Sequence, residues 1–268
     1  MSRIFRDYNQ AELDAQYEQR AWVPHADAII ARYAAASAEV RRRVGEPETI
    51  SYGTTPPETL DIYGGRRDQA FVFVHGGAWR RQSRRESAFA AEPVVRAGAS
   101  FVALGFAALP GVTLPEMAAQ VRRGIEWTFG NLSGNVYLCG HSSGAHLAAS
   151  ALTRTNFVKK AMLISGLYDL LPVRLSARND YLRLDERLEG EFSPIRHVER
   201  IRCPVTVAWA ENESAEFARQ SKDFSLALNR ENGLSTQMEG KNLNHFDIIE
   251  TMADAHSPLG RAVLAMLK

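Results

Sequence analysis

Gly140-His141-Ser142-Ser143-Gly144 stands between an apolar run at 136–139 and a stretch of helix-forming residues at 143–153. This order of strand, sharp turn and helix is typical of a turn that exposes a serine hydroxyl above the edge of a sheet. Glycines on either side let strand and helix approach closely, and the Ser143 N–H then lies at a helix N-terminus. The segment predicts Ser142 as a nucleophile. The alternative is a turn of small residues that only packs a helix on a strand.

The runs around this segment predict an α/β fold with a mostly parallel, eight-stranded sheet. Predicted helices separate most of the strands, as in βαβ units, so helices should cover both faces of the sheet. The first two strands have no helix between them and suit an antiparallel hairpin at the edge. The predicted strands are 49–52, 60–63, 71–74, 100–104, 136–139, 160–164, 205–208 and 235–239, and the predicted helices are 86–97, 115–129, 143–153 and 215–229.

Two segments lie outside this alternation, although we expect residues 1–268 to form one domain. Residues 1–46 are predicted to be an N-terminal helical arm, with Pro24 separating two helical pieces within 8–43. Residues 167–200 separate two strands by more than a usual connection, and such insertions are often lids or binding loops.

Composition narrows the classes of function. Lys plus Arg (32) and Asp plus Glu (31) leave a net charge of +1, which gives no electrostatic case for nucleic acid or an anionic membrane as a partner. No window reaches the roughly 18 apolar residues of a membrane span, and the N-terminus lacks the apolar core of a signal peptide. These features predict a cytoplasmic protein, in which Cys139 and Cys203 are buried free thiols.

A second segment, His75-Gly76-Gly77-Ala78-Trp79, follows the apolar run at 71–74. Acyl transfer creates a negative oxygen, which backbone N–H groups stabilise, and glycines let the backbone approach that oxygen. We therefore expect Gly76, Gly77, Ala78 and Ser143 to form an oxyanion hole. His75 is interpreted as an anchor of this loop rather than as a catalytic group.

Chain order in this kind of fold runs nucleophile, acid, base. His245 follows the last predicted strand and is the preferred general base, with His256 as the alternative. His141 and His146 flank the nucleophile and are interpreted as packing residues. His197 lies in the insertion.

The acid should follow the strand at 205–208, where glutamates but no aspartate occur. A carboxylate there would fix the tautomer of the histidine. Glu213 is preferred because it is the last loop carboxylate before a helix whose predicted cap is Ser214, and Glu211 is second. Glu216 fits the first turn of that helix. Asp169, which follows the predicted strand at 160–164 after the nucleophile, is another candidate.

Several segments together resemble the kynurenine formamidase (arylformamidase) group of α/β-hydrolases. The resemblance covers nearly the whole chain and implies Ser142 as nucleophile, Glu213 as acid and His245 as base. It also implies hydrolysis of an aryl formamide, or of a related amide or ester, without a metal or cofactor. The segments that carry it are 8–17, 60–63, 75–79, 140–147, 165–170, 213–221 and 244–246.

Departures from the group's pattern bear on the substrate. Glu213 stands where the group often has aspartate, Ala78 replaces an aromatic residue, and 106–110 lacks a usual tyrosine. The fold and chemistry therefore carry over better than the substrate does.

A small-molecule substrate, an aromatic amide or ester, is the expected partner. Trp79, Tyr168 and Phe246 could line the leaving-group side of its site or belong to the core. A general carboxylesterase for short-chain esters and a non-catalytic ligand receptor are the alternative functions. A homodimer is possible.

Overall fold

The computed structural model describes residues 2–268 and contains one eight-stranded sheet. The strand order is β1-β2-β4-β3-β5-β6-β7-β8, with β1 and β2 antiparallel and β3 to β8 parallel. This confirms the predicted fold class, including the antiparallel hairpin at one edge. The strands are β1 Glu48–Ser51, β2 Thr59–Tyr63, β3 Ala70–Val74, β4 Ser100–Leu104, β5 Val136–His141, β6 Lys160–Ile164, β7 Val205–Asn212 and β8 Ser235–Asn244.

The central strands are buried on both faces because helices cover both sides of the sheet. Every residue of β3 is buried, and its side chains alternate between two apolar cores. Val72 and Val74 join one core, whereas Phe71 and Phe73 join the other. The period of two that defines a strand thus divides one continuous apolar run between two layers.

The helices begin and end at local signals in the sequence. Asn9 and Glu12 form a capping box at the start of α1, and Ser83 with Glu86 does the same for the 3₁₀ segment Arg84–Ala90. The helices are α1 Gln10–Tyr17, α2 Gln19–Trp22, α3 Ala26–Val44, α4 Ala91–Arg96, α5 Leu114–Asn131, α6 Ser143–Leu152, α7 Leu171–Leu175, α8 Asn179–Leu182, α9 Glu186–Phe192, α10 Ala215–Asn232, α11 Asp247–Glu250 and α12 Pro258–Met266. None of those within residues 2–268 is long and apolar enough to cross a membrane.

The segments outside the alternation are helical. Residues 1–46 contain α1, α2 and α3, and Pro24 lies in the break before α3. Residues 167–200 contain three short helices and the 3₁₀ segment Pro194–Arg200. The Gln10 amide of α1 donates to the Leu175 carbonyl of α7 at 3.0 Å, so the two segments contact one another.

Buried polar contacts join the N-terminal arm to the start of α10. The Gln19 amide donates to the Ser214 hydroxyl at 2.8 Å, and the Ser214 N–H donates back to Gln19. The Ser214 hydroxyl donates in turn to the Gln16 carbonyl at 2.6 Å, so its oxygen does not cap α10. The arm therefore holds the residue that follows Glu213.

Gln19→Ala is expected to lower the free energy of unfolding by about 1–3 kcal/mol, because it leaves the buried Ser214 N–H without its acceptor. Glu46→Ala, at an exposed position of the same arm whose side chain makes no hydrogen bond within residues 2–268, should cost under about 0.5 kcal/mol. Urea unfolding at constant m-value measures both changes. Equal effects of the two substitutions would show that the arm does not hold this loop.

Candidate active site

Ser142 occupies a sharp turn between β5 and α6, with φ 56° and ψ −125°. Such a conformation is rare for a residue with a side chain, and it persists only where the surroundings hold it. The Ser142 N–H donates to the Ile164 carbonyl of β6 at 2.8 Å, and the Ser142 carbonyl accepts from Ala145 at 2.9 Å. The hydroxyl is thereby held at the carboxyl end of the parallel strands.

The glycines at 140 and 144 are required by the packing around this turn. A Cβ on Gly140 would lie 2.5 Å from the Gly144 carbonyl oxygen. One on Gly144 would lie 2.2 Å from the Val74 oxygen and 2.3 Å from the His75 oxygen. Helix α6 therefore touches the backbone of both β5 and the end of β3.

Ser142, His245 and Glu213 form one hydrogen-bonded row. His245 Nε2 lies 3.0 Å from Ser142 Oγ, and His245 Nδ1 lies 2.9 Å from Glu213 Oε2. The neutral tautomer with its proton on Nδ1 satisfies both contacts, since Nδ1 then donates to Glu213 and Nε2 accepts from Ser142. All three residues are buried.

Burial also sets the electrostatics of the row. It lowers the pKa of His245 to about 3, and the charge of Arg178 acts in the same direction. Burial raises the pKa of Glu213, an effect that the nearby Ser165 hydroxyl and the Ala210 backbone partly offset, and a positive charge on His245 favours the carboxylate form. The resting imidazole is therefore neutral and able to accept a proton. A positive charge that forms on it is matched by the adjacent carboxylate.

The loop after β3 lies beside Ser142, and Gly77 and Ala78 line the same cavity as Ser142. Gly77, Ala78 and Trp79 all have positive φ, at 106°, 54° and 60°. Within residues 2–268, the N–H groups of Gly77 and Ala78 have no acceptor, whereas the Trp79 N–H donates to Ser143 Oγ at 3.1 Å. Gly76 lies against the nucleophile turn, where an added Cβ would be 3.2 Å from that of Ser142.

The other end of this anion site is the first residue of α6. The Ser143 N–H is at the helix N-terminus, where it has no partner within the helix. Together with the Gly77 and Ala78 N–H groups it can donate hydrogen bonds to a negative oxygen beside Ser142. These are the positions at which the sequence predicts an oxyanion hole.

The other candidate acids and the alternative base are engaged elsewhere. Glu211 is exposed and pairs with Lys241, and Asp169 accepts from the Leu171 N–H. Glu216 is in the first turn of α10 as predicted, but its carboxylate contacts Tyr17 and Arg219. His256 is exposed near the C-terminus.

The remaining histidines are structural. His75 stacks on Phe106 with ring centroids 4.4 Å apart, and His146 accepts from the Trp79 indole at 3.2 Å. His141 Nε2 donates to the His245 carbonyl at 2.9 Å and so supports the loop of the base. The sequence does not reveal this last contact, because the two residues are 104 positions apart.

A cavity of about 1090 Å³ opens over Ser142 and His245. Phe246 lines it, as do Gly77 and Ala78. Trp79 and Tyr168 instead lie in the core, with Trp79 against His146 and Tyr168 stacked on Phe224 at 4.1 Å. The N-terminal arm and the insertion, which the sequence predicts to be a lid or binding loop, also line this cavity. Their lining residues include Asp14, Tyr17, Glu18, Gln19, Arg20, Tyr33, Ser176, Arg178 and Tyr181.

Comparison with known proteins agrees with this arrangement. Residues 71–225 match the family of the α/β hydrolase fold. A kynurenine formamidase from Salmo salar is 35% identical across 100% of this chain and 99% of its own length. The chain belongs to the kynurenine formamidase family. It is therefore a hydrolase.

Further comparisons support the same family and fold. A kynurenine formamidase from Danio rerio is 34% identical over 98% of each chain. The solved structure of an esterase from Pyrobaculum calidifontis superposes on this hydrolase with a TM-score of 0.69. That match covers 93% of each chain at 17% identity and shows the shared fold alone.

Gly144→Ala is expected to destabilise the protein by about 1–3 kcal/mol or more, because the added methyl overlaps two backbone carbonyls of the preceding loop. Gly130→Ala is a matched control, since Gly130 lies in α5 with no atom within 4 Å of the added methyl. There the substitution should stabilise by about 0.4–1 kcal/mol. Chemical unfolding gives both changes, and the interpretation requires that they have opposite signs.

Buried histidines outside the row make stability depend on pH. Burial lowers the pKa of His75 and His146 to about 4 and that of His141 well below its usual value of 6.5. The unfolded chain therefore binds more protons below pH 6.5, and stability falls as the pH drops from 6.5 toward 4. Each such proton is worth about 1.4 kcal/mol per pH unit.

Urea unfolding from pH 7.5 to 5 measures this slope. His75→Phe should reduce it relative to the unsubstituted protein, whereas His256→Phe, at an exposed site, should leave it unchanged. A free energy of unfolding that is flat across this range would contradict the role assigned to burial.

Proposed function

We propose that this hydrolase cleaves a small amide or ester, preferentially an aryl formamide such as N-formylkynurenine, through an acyl-enzyme on Ser142. The observation that carries the proposal is the row in which His245 lies 3.0 Å from Ser142 and 2.9 Å from Glu213, at the floor of the cavity. The preference for formamides rests on the two kynurenine formamidases that match the full length of the chain.

In the first half-reaction, His245 Nε2 removes the proton of Ser142 Oγ as that oxygen attacks the carbonyl carbon of the substrate. The carbonyl oxygen becomes negative and is bound by the N–H groups of Gly77, Ala78 and Ser143. Glu213 accepts the Nδ1–H of the imidazolium and stabilises its charge. His245 then gives its proton to the departing amine, which leaves the acyl group on Ser142.

In the second half-reaction, water replaces the amine and reverses these steps. His245 takes a proton from the water, whose oxygen attacks the acyl carbon, and the Ser142 oxygen leaves with that proton. For a formamide the products are formate and the arylamine. The chemistry uses only side chains and backbone groups of this chain.

The aromatic leaving group is supported by the cavity wall. Phe246 lines the cavity beside His245, with which its ring makes an edge-to-face contact at 5.2 Å between centroids. Tyr33 and Tyr181 lie on the same wall. Flat rings of this kind bury an aromatic substrate by stacking and edge contacts.

Short-chain esters are the competing substrates, because the same groups attack any accessible carbonyl. A non-catalytic receptor would need neither the histidine contact nor the buried carboxylate, and here both are formed. A cytoplasmic location and a homodimer stay predictions from the sequence.

Substitutions at Ser142 and Glu213 distinguish the proposed enzyme from a non-catalytic receptor. Ser142→Ala is expected to reduce kcat by at least about 10⁴-fold on every substrate, and Glu213→Gln by roughly 10²–10⁴-fold. Asp169→Asn, at the other candidate acid, should change kcat less than about threefold, because its carboxylate contacts only a nearby backbone N–H. Initial rates on N-formylkynurenine, formanilide and nitrophenyl acetate measure these effects.

The same substrates test the preference. Ester cleavage without formamide turnover would assign the protein to the carboxylesterases. A larger loss from Asp169→Asn than from Glu213→Gln would overturn the choice of acid. A wild-type protein that neither turns over any of the three substrates nor reacts with a fluorophosphonate would exclude the enzyme mechanism.

A further inference from the structure

Arg178 brings a positive charge into the cavity that contains Ser142 and His245. It lies in the insertion, directly before α8, and its side chain is half-buried. Its guanidinium lies 6.0 Å from the Trp79 ring centroid. Its charge also contributes to the low pKa of His245. The proposed mechanism assigns no role to this cation.

The guanidinium is oriented by neutral groups alone. Its Nε and Nη2 donate to the Tyr17 carbonyl, and its Nη1 donates to the Tyr181 hydroxyl at 3.1 Å. No carboxylate within residues 2–268 forms an ion pair with it. Arginine has five N–H donors, so one remains on each terminal nitrogen. Free N–H groups on both terminal nitrogens allow a guanidinium to bind a carboxylate through both of its oxygens.

The carboxylates of the cavity wall are committed to other partners. Asp14 accepts from the Ala177 N–H at 2.7 Å, and Glu86 accepts from the Ser83 N–H at 2.6 Å and the Ser83 hydroxyl at 2.8 Å. Glu18 is exposed and accepts from the Arg20 N–H. None of these carboxylates forms an ion pair with Arg178 within residues 2–268.

Further arginines line the same cavity. Arg80 lines the cavity and lies over the Tyr181 ring at 4.6 Å, and Arg81 is exposed beside it. An unpaired cation held in a partly desolvated cavity costs free energy unless an anion completes it. Arg178 is therefore the group in this cavity at which an anion can bind.

We propose that Arg178 binds a carboxylate carried by the substrate, and that this contact selects anionic aryl formamides over neutral ones. The inference rests on the proposed function for its location. A formyl group carries only a hydrogen beside its carbonyl oxygen and the amide nitrogen. The carboxylate must therefore belong to the arylamine part of the substrate. Tyr17 and Tyr181 hold the guanidinium in place, and Arg178 is thus a specificity-determining residue.

The test compares formanilides that differ only in charge. The 2-, 3- and 4-formamidobenzoates are matched with the corresponding formamidobenzamides, which have the same shape without the charge. For the wild-type protein, kcat/KM for the best benzoate should exceed that of its amide by at least about tenfold. Arg178→Gln should bring the ratio of kcat/KM for the benzoate to that for its amide close to one, mainly by raising KM for the benzoate.

Two further variants separate charge from geometry. Arg178→Lys keeps the charge but loses the paired donors, so it should recover part of the preference. Arg20→Gln removes a cation of the same wall that is already paired with Asp27, and it should retain the preference. Equal losses on anionic and neutral substrates in Arg178→Gln, or no wild-type preference, would overturn the inference.

A binding measurement keeps the inference separate from the proposed function and from misfolding of a variant. Benzoate should raise the thermal midpoint of the wild-type protein, whereas benzamide at the same concentration should not. If the protein cleaves neutral substrates but benzoate does not raise its thermal midpoint, the role of Arg178 is contradicted and the proposed function is not. A protein without turnover that still distinguishes benzoate from benzamide would keep the anion site and exclude the proposed reaction.

Discussion

The close approach of α6 to the ends of β3 and β5 is the constraint on which the site depends. It requires Gly140 and Gly144, because backbone atoms of neighbouring segments fill the space that a side chain would need at each position. Because this space is filled by backbone, Ser142 is held in a conformation that it would not adopt alone, and the Ser143 N–H is aimed at the cavity. The loop from Gly76 to Trp79, which follows β3, also approaches this turn, since the Trp79 N–H donates to Ser143 Oγ. Nucleophile and anion site are thus consequences of one packing contact.

The acid and the base reach this point from strands that are further along the sheet. Glu213 follows β7 and His245 follows β8, and adjacent parallel strands bring their carboxyl ends together. Burial of the pair keeps the imidazole neutral at rest and makes its charged form depend on the neighbouring carboxylate. His141 fixes the backbone of His245, so the turn that presents the nucleophile also supports the base.

Sequence alone predicts the eight strands and the order of Ser142, Glu213 and His245, because apolar runs and strand ends are local signals. It underestimates the lengths of β7 and β8. These strands extend to Asn212 and Asn244 through polar residues, which a search for apolar runs does not include. It leaves Trp79 and Tyr168 undecided between cavity and core, since a large aromatic side chain fits either place. Arg178 is not predicted at all, because its neighbours Tyr17 and Trp79 are distant in sequence and only the folded chain brings them together.

The N-terminal arm links substrate recognition to the catalytic row. The Tyr17 carbonyl accepts from Arg178, whereas its hydroxyl donates to Glu216 at the start of α10. Gln19 of the same arm holds Ser214, the residue that follows Glu213. A displacement of the arm would therefore move Arg178, the cation proposed to select the substrate, and loosen the loop of Glu213, the proposed acid. The sheet supplies the chemistry common to the fold, and the arm and insertion add the specificity, so substitutions in α1 and α2 should affect both binding and turnover even though neither helix carries a reacting group.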